Sequence, residues 1–158
     1  GLGQPVAFAL EGVEGVAYLS PRGGRLAREA LLKRLSEAQR EVLVAAFVLT
    51  DREVLEALLQ ARRRGAEVKV LLETRNLGTS REAALLEEGR EVRQDANPYT
   101  MHHKVMLLDG TYVVTGSYNF SVRAHEVNNE NLLVLKSPSL AERYRKEVLR
   151  LWEAGSPL

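Results

Sequence analysis

His102-His103-Lys104-Val105-Met106-Leu107-Leu108-Asp109-Gly110-Thr111-Tyr112-Val113-Val114-Thr115-Gly116-Ser117-Tyr118-Asn119 is the stretch on which the reading of this chain turns. Lys104 to Leu108 and Tyr112 to Thr115 are apolar, β-prone runs, and Asp109-Gly110 between them is a strong two-residue hairpin signal. A two-residue loop sets Leu108 opposite Thr111, Lys104 opposite Thr115 and His102 opposite Ser117. Side chains alternate between the faces of a strand. That register therefore gathers His102, Lys104, Ser117 and, just past the strand end, Asn119 on one face, and turns His103, Val105 and Leu107 to the other.

Those residue types suit one chemistry. A neutral imidazole can attack phosphorus and form a covalent phosphohistidine without a metal, while an ammonium, an amide and a hydroxyl hold the oxygens. Charge grows on the non-bridging oxygens as the transition state forms. Fixed donors that tighten on it raise the rate more than they strengthen substrate binding.

The pattern H-x-K-x4-D-x6-G-S-x-N, continued by Tyr118-Asn119-Phe120-Ser121 and later by Asn129-Glu130-Asn131, resembles the HKD signature of the phospholipase D superfamily. Within it the chain looks like the small bacterial endonucleases that carry a single HKD motif, over a span from about Tyr18 to the C-terminal helix. The resemblance implies a two-step reaction: one histidine is the nucleophile, and a second protonates the leaving alkoxide and then activates water. It makes His102 and Lys104 catalytic and Ser117 and Asn119 phosphate ligands alongside Lys104. Glu130 matches the residue that hydrogen-bonds the histidine ring and fixes its tautomer. Asp109 and Gly116 belong to the signature, but the hairpin puts Asp109 at the turn, where it shapes the loop, and Gly116 permits close backbone approach. The ordinary alternatives are an exposed His and Lys on a strand, a surface Glu, and loop Ser and Asn bonding their own backbone.

Two imidazoles are needed per site, yet of the three histidines only His102 is followed two positions later by lysine. The simplest remedy is a twofold homodimer whose axis passes beside the motif, each protomer lending one His102, one Lys104 and one Asn119. His103 faces away by strand alternation, and His125, after Arg123-Ala124, has no partner at motif spacing.

Composition bounds the rest. At 158 residues, 45% of them hydrophobic, the chain is expected to form a single domain with its own core. Cysteine is absent, which excludes disulfides and thiolate metal sites; the site is expected to need no metal or other cofactor. No apolar run approaches transmembrane length. The sequence opens Gly1-Leu2-Gly3 without methionine, so residues 1–15 are an unassigned arm or the remnant of a processed segment, within which Val6 to Leu10 reads equally as a strand or an ordered arm. Members of this size in the family that the motif resembles are often exported, which makes the periplasm or exterior the expected location. Further on, amphipathic and apolar segments alternate: a helix near Arg25 to Arg40, a strand from Glu41 to Leu49, a helix over Arg52 to Arg63, a strand from Val68 to Glu73 and a short helix from Arg81 to Glu88. The motif hairpin follows, then a strand from Asn131 to Leu135 and a helix starting at Ser137-Pro138 and running to about Trp152. This is an α/β pattern, a mixed sheet flanked by helices on both faces.

Substrate is less constrained, because HKD machinery in the superfamily cleaves nucleic acids, phospholipids and other phosphodiesters. A net charge of +1 carries no strong polyanion bias. Arg62-Arg63-Arg64 sits at a helix end, where cations favour the helix dipole with or without a ligand. Arg75, Arg93, Tyr99 and Arg123 are the candidate nucleic-acid contacts, Tyr99 by stacking on a base. With no basic amphipathic helix or apolar inserting loop near the motif, the expected substrate is DNA or RNA, cleaved without sequence preference, and a membrane partner is not expected. A phospholipase D-type lipid phosphodiesterase and a noncatalytic DNA-binding dimer are the alternatives. Against the last, His102, Lys104 and Asn119 are all intact.

Overall fold

Val42 to Ala46 are all buried, so the strand they form must be covered on both faces. The computed structural model describes residues 4–19, 24–46, 49, 51–72, 92–94, 104–116 and 131–157, and it meets this requirement with one mixed sheet between two helical layers. In chain order the elements are β1 (Val6–Leu10), β2 (Val13–Leu19), α1 (Gly24–Glu37), β3 (Glu41–Ala46), α2 (Arg52–Arg63), β4 (Glu67–Leu72), β5 (Val92–Gln94), β6 (Val105–Leu108), β7 (Tyr112–Gly116), β8 (Asn131–Lys136), α3 (Pro138–Ala154) and β9 (Ser156–Pro157). Among the described residues the strands lie in the order β1-β2-β8-β7-β6-β3-β4-β5-β9. The β3-β4-β5 neighbours are parallel, and every other pair is antiparallel. The α/β sandwich expected from the sequence is the one observed.

Alternation divides the core. Val42, Val44 and Ala46 of β3, Val68 and Val70 of β4, and Met106 and Leu108 of β6 face Leu31, Leu35, Leu55 and Leu58 of α1 and α2. Leu43, Ala45, Val105, Leu107 and Val113 face Ala141 and Val148 of α3. Each fully buried leucine contributes about 2 kcal/mol relative to exposure. α2 has the predicted limits because Asp51 caps its N-terminus, accepting from the amides of Glu53 and Val54 at 3.0 and 3.4 Å. α3 starts where expected, with Ser137 as cap accepting from Leu140 N and Pro138 in the first turn. α1 stops three residues earlier than Arg40, and Arg64 donates to the carbonyls of Leu35 and Ala38 at the helix end, each at 2.8 Å. That cation closes a helix end. The helix expected over Arg81 to Glu88 lies outside the described residues.

Val6 to Leu10, open between a strand and an ordered arm in the sequence, is a strand: residues 6–19 form a regular β-hairpin in which the Phe8 ring lies on Gly15, where a Cβ would collide with it. One expectation is corrected, the register of the motif hairpin: Leu108 pairs with Tyr112, not Thr111, Leu107 with Val113 and Met106 with Val114. Asp109 and Gly110 do make the turn, both at positive φ and closed by Thr111 N to Leu108 O at 3.1 Å, but Thr111 is an additional loop residue. Its carbonyl accepts instead from Ser137 N at 2.9 Å, extending the contact with β8. Thr115 consequently has the parity of Val113, on the α3 side. Lys104, one residue before β6, continues the parity of Met106 on the α1–α2 side.

Candidate active site

Lys104 and Gly116 lie at one edge of the sheet. β2 ends there at Leu19 beside Asn131, the first residue of β8; β7 ends at Gly116 beside Leu132; and β6 begins at Val105 beside Ala45. The carboxyl ends of the parallel strands β3, β4 and β5 lie along the same edge, the usual ligand side of a parallel sheet. Lys104, partly buried, stands directly before β6. His102, His103, Ser117, Asn119, Arg123, His125 and Glu130, together with Arg75 and Tyr99, lie outside the described residues. Of the predicted site residues, therefore, Lys104 and Gly116 are brought to this edge, and Asn131 adjoins Glu130 there in sequence.

Gly116 has a physical reason to be glycine. Its φ is +137°, and a Cβ would sit 2.6 Å from Asn131 Oδ1 and closer still to the Asn131 carbonyl oxygen. β7 and β8 thus approach closely just where the chain enters Ser117. The same conformation interrupts strand alternation, so the two-residue rule that set Ser117 and Asn119 on the face of Lys104 does not carry past Gly116.

Asp109 lies at the other end of β6. Its carboxylate accepts from the amides of Gln39, Arg40 and Glu41 at 2.9, 2.8 and 3.0 Å, and its carbonyl accepts from the Arg40 guanidinium at 2.9 Å. Burial alone would raise its pKa; the three amide bonds and Arg40 outweigh burial and hold it below the usual value. Asp109 therefore pins the hairpin to the α1–β3 connection, about 15 Å of strand from Lys104.

Beside the motif edge, Asp51 is 1% exposed and receives two bonds from Arg28, at 2.8 and 2.9 Å, while Arg28 also reaches Glu53 at 3.2 Å. This pair ties α1 to the start of α2. Burial pushes the Asp51 carboxyl up, and Arg28 and the two capping amides bring it below its ordinary value; the Arg28 pKa is raised, chiefly by its hydrogen bond to Asp51. Sequence reasoning missed the pair: Asp51 after a strand signals a cap, and nothing in Arg28 signals its partner. Arg93, a candidate nucleic-acid contact, packs on Trp152, 3.4 Å from the ring centroid, and donates to the Trp152 carbonyl at 2.9 Å.

Comparison with known proteins agrees with this architecture. The family described as "Cardiolipin synthase, PLD-like domain" matches residues 31–152. A mitochondrial cardiolipin hydrolase of Xenopus laevis is 36% identical over 129 residues, 80% of this chain and 61% of that protein. A phospholipase D of Rickettsia typhi is 34% identical over 116 residues, 72% of this chain and 57% of that one. The chain thus spans about three-fifths of the length of these relatives. Among solved structures, a phospholipase D family member, Nuc from Salmonella typhimurium, superposes with a TM-score of 0.83 at 30% identity, covering 92% of this chain and 98% of that one. NucT from Helicobacter pylori gives the same TM-score at 20% identity, a likeness of fold.

Proposed function

This chain belongs to the phospholipase D superfamily, and from that premise we propose that it is a phosphodiesterase, specifically a metal-independent endonuclease acting through a covalent phosphohistidine on His102. The observation that supports the reading is that Lys104, entering β6, and Gly116, leaving β7, both stand at the carboxyl edge of the sheet. In this reading His102 attacks phosphorus as Lys104, Ser117 and Asn119 hold the non-bridging oxygens, and Glu130 fixes the ring tautomer. A second His102, from a twofold partner, protonates the leaving oxygen and then activates water. Contacts to phosphate oxygens rather than base edges make cleavage insensitive to sequence.

Nucleic acid is favoured by the likeness to Nuc, at a TM-score of 0.83 and 30% identity over 92% of this chain, and by a sequence with no basic amphipathic helix or apolar inserting loop near the motif. Lipid phosphodiesterase activity is the second reading, supported by the cardiolipin hydrolase and phospholipase D relatives themselves. Among the described residues no helix is long and apolar enough to cross a membrane. Plasmid and single-stranded DNA are incubated with wild type and His102→Ala in excess EDTA, with cardiolipin vesicles in parallel. DNA cleavage by wild type alone supports the endonuclease; release of phosphatidic acid without DNA cleavage replaces it with the lipid reading.

A further inference from the structure

The large apolar side chains most exposed among the described residues are Val6 (59%), Leu10 (69%) and Leu19 (62%). All three fall on one face of one hairpin. β1 and β2 pair Val6 with Ala17, Phe8 with Gly15 and Leu10 with Val13, so Val6, Phe8, Leu10, Ala17 and Leu19 share the side of the sheet that α3 covers further along. Scattered exposed leucines need no explanation, but a row of this kind does.

β1 is also the last strand at its end of the sheet, paired on one side only among the described residues. Sheet edges are normally protected by charge, proline, a bulge or brevity. The opposite edge follows that rule, since β9 has two residues and ends in Pro157. β1 does not: Val6-Ala7-Phe8-Ala9-Leu10 carries no charge and no proline, and its register with β2 runs unbroken from Val6 to Leu10. About Phe8 it has an alanine and then a branched aliphatic side chain in each direction, Val6 on one side and Leu10 on the other. The Phe8–Gly15 contact holds the strand flat against β2.

We propose that β1 pairs antiparallel with β1 of a second copy of this chain, about a two-fold axis at Phe8. In that register Val6 faces Leu10 of the second copy and Leu10 faces its Val6, so the interface is self-complementary, a two-fold contact separate from that of the proposed site-sharing dimer, which it joins to a further copy. No like charges are brought together, because Glu11 lies beyond the paired segment. A five-residue edge pair falls at the small end of specific interfaces, so association is reversible and depends on concentration. β6 is four strands away, about 19 Å across the sheet, so this contact neither contains nor rests on the proposed catalytic site.

The test is sedimentation velocity across a dilution series of the full chain and two double variants. Val6→Lys with Leu10→Lys places ammonium groups opposite each other and is expected to halve the mass of the largest species. Val6→Lys with Leu10→Glu pairs opposite charges in the same register and is expected to restore that mass at low salt and lose it again at high salt. Both variants change exposed side chains, and unchanged circular dichroism confirms their folding. A mass unaffected by the two lysines overturns the proposal, as does equal loss in both variants. Flotation of wild type with lipid vesicles at constant particle mass, lost in the double lysine variant, overturns it in favour of a membrane surface.

Discussion

The Arg93 guanidinium sits over the ring of Trp152, 3.4 Å from its centroid, and closes the contact with a hydrogen bond to the Trp152 carbonyl. This fastens β5, only three residues long, to the end of α3. Trp152 is the sole tryptophan, so the junction reports on itself. Arg93→Ala is expected to cost about 1–3 kcal/mol from the lost stacking and charged hydrogen bond. Chemical denaturation followed by Trp152 fluorescence measures it. A variant of unchanged stability that instead binds DNA more weakly would move Arg93 from packing to substrate contact.

Asp51 and Arg28 predict an acid limb. The folded pKa of Asp51 lies below its ordinary 3.8, so its contribution is complete above that value and is lost as pH falls below it through the folded pKa. Asp51→Ala removes the cap and leaves Arg28 without its main partner, at an expected cost of about 3–5 kcal/mol at neutral pH. The difference between wild type and variant should shrink in urea titrations below about pH 3.8. A difference independent of pH would contradict the assignment.

Asp109 belongs to the family signature but accepts three amides at the far end of β6. Asp109→Ala is expected to lower stability by about 2–4 kcal/mol by stranding those donors. In cleavage assays well below the melting temperature, kcat should stay within about threefold of wild type. A large loss of kcat in a protein of undiminished stability would give Asp109 a chemical role.

Gly116→Ala tests the approach of β7 to β8. A methyl group at φ +137° meets Asn131, so a loss of about 2–4 kcal/mol is expected, with a lower cleavage rate because the chain enters Ser117 from a displaced position. Retained melting temperature together with retained activity would show that the strands separate at little cost.

The proposed sharing of the site between two chains predicts a mixing law. When His102→Ala protein is mixed and re-equilibrated with wild type, activity should fall as the square of the wild-type fraction, since a mixed dimer holds one functional imidazole. A linear fall would mean that one His102 suffices.

What the sequence alone determined was the local structure. The amphipathic run from Arg52 to Arg63 delimited α2 correctly, Ser137-Pro138 located the start of α3, and Asp109-Gly110 marked the turn, because periodicity, caps and turns depend on neighbouring residues. The spacing of His102, Lys104, Gly116 and Asn119 was likewise legible, as was the family. Only the tertiary structure decided the register of the hairpin. Val105 to Leu108 are buried on both faces, so no polar alternation distinguishes a two-residue from a three-residue loop. The choice fell to contacts distant in sequence: Asp109 on the amides of Gln39 to Glu41, and Thr111 on Ser137. Arg28 with Asp51 and Arg93 with Trp152 belong to the same class, since a side chain able to reach many partners acquires one only when the fold has placed it.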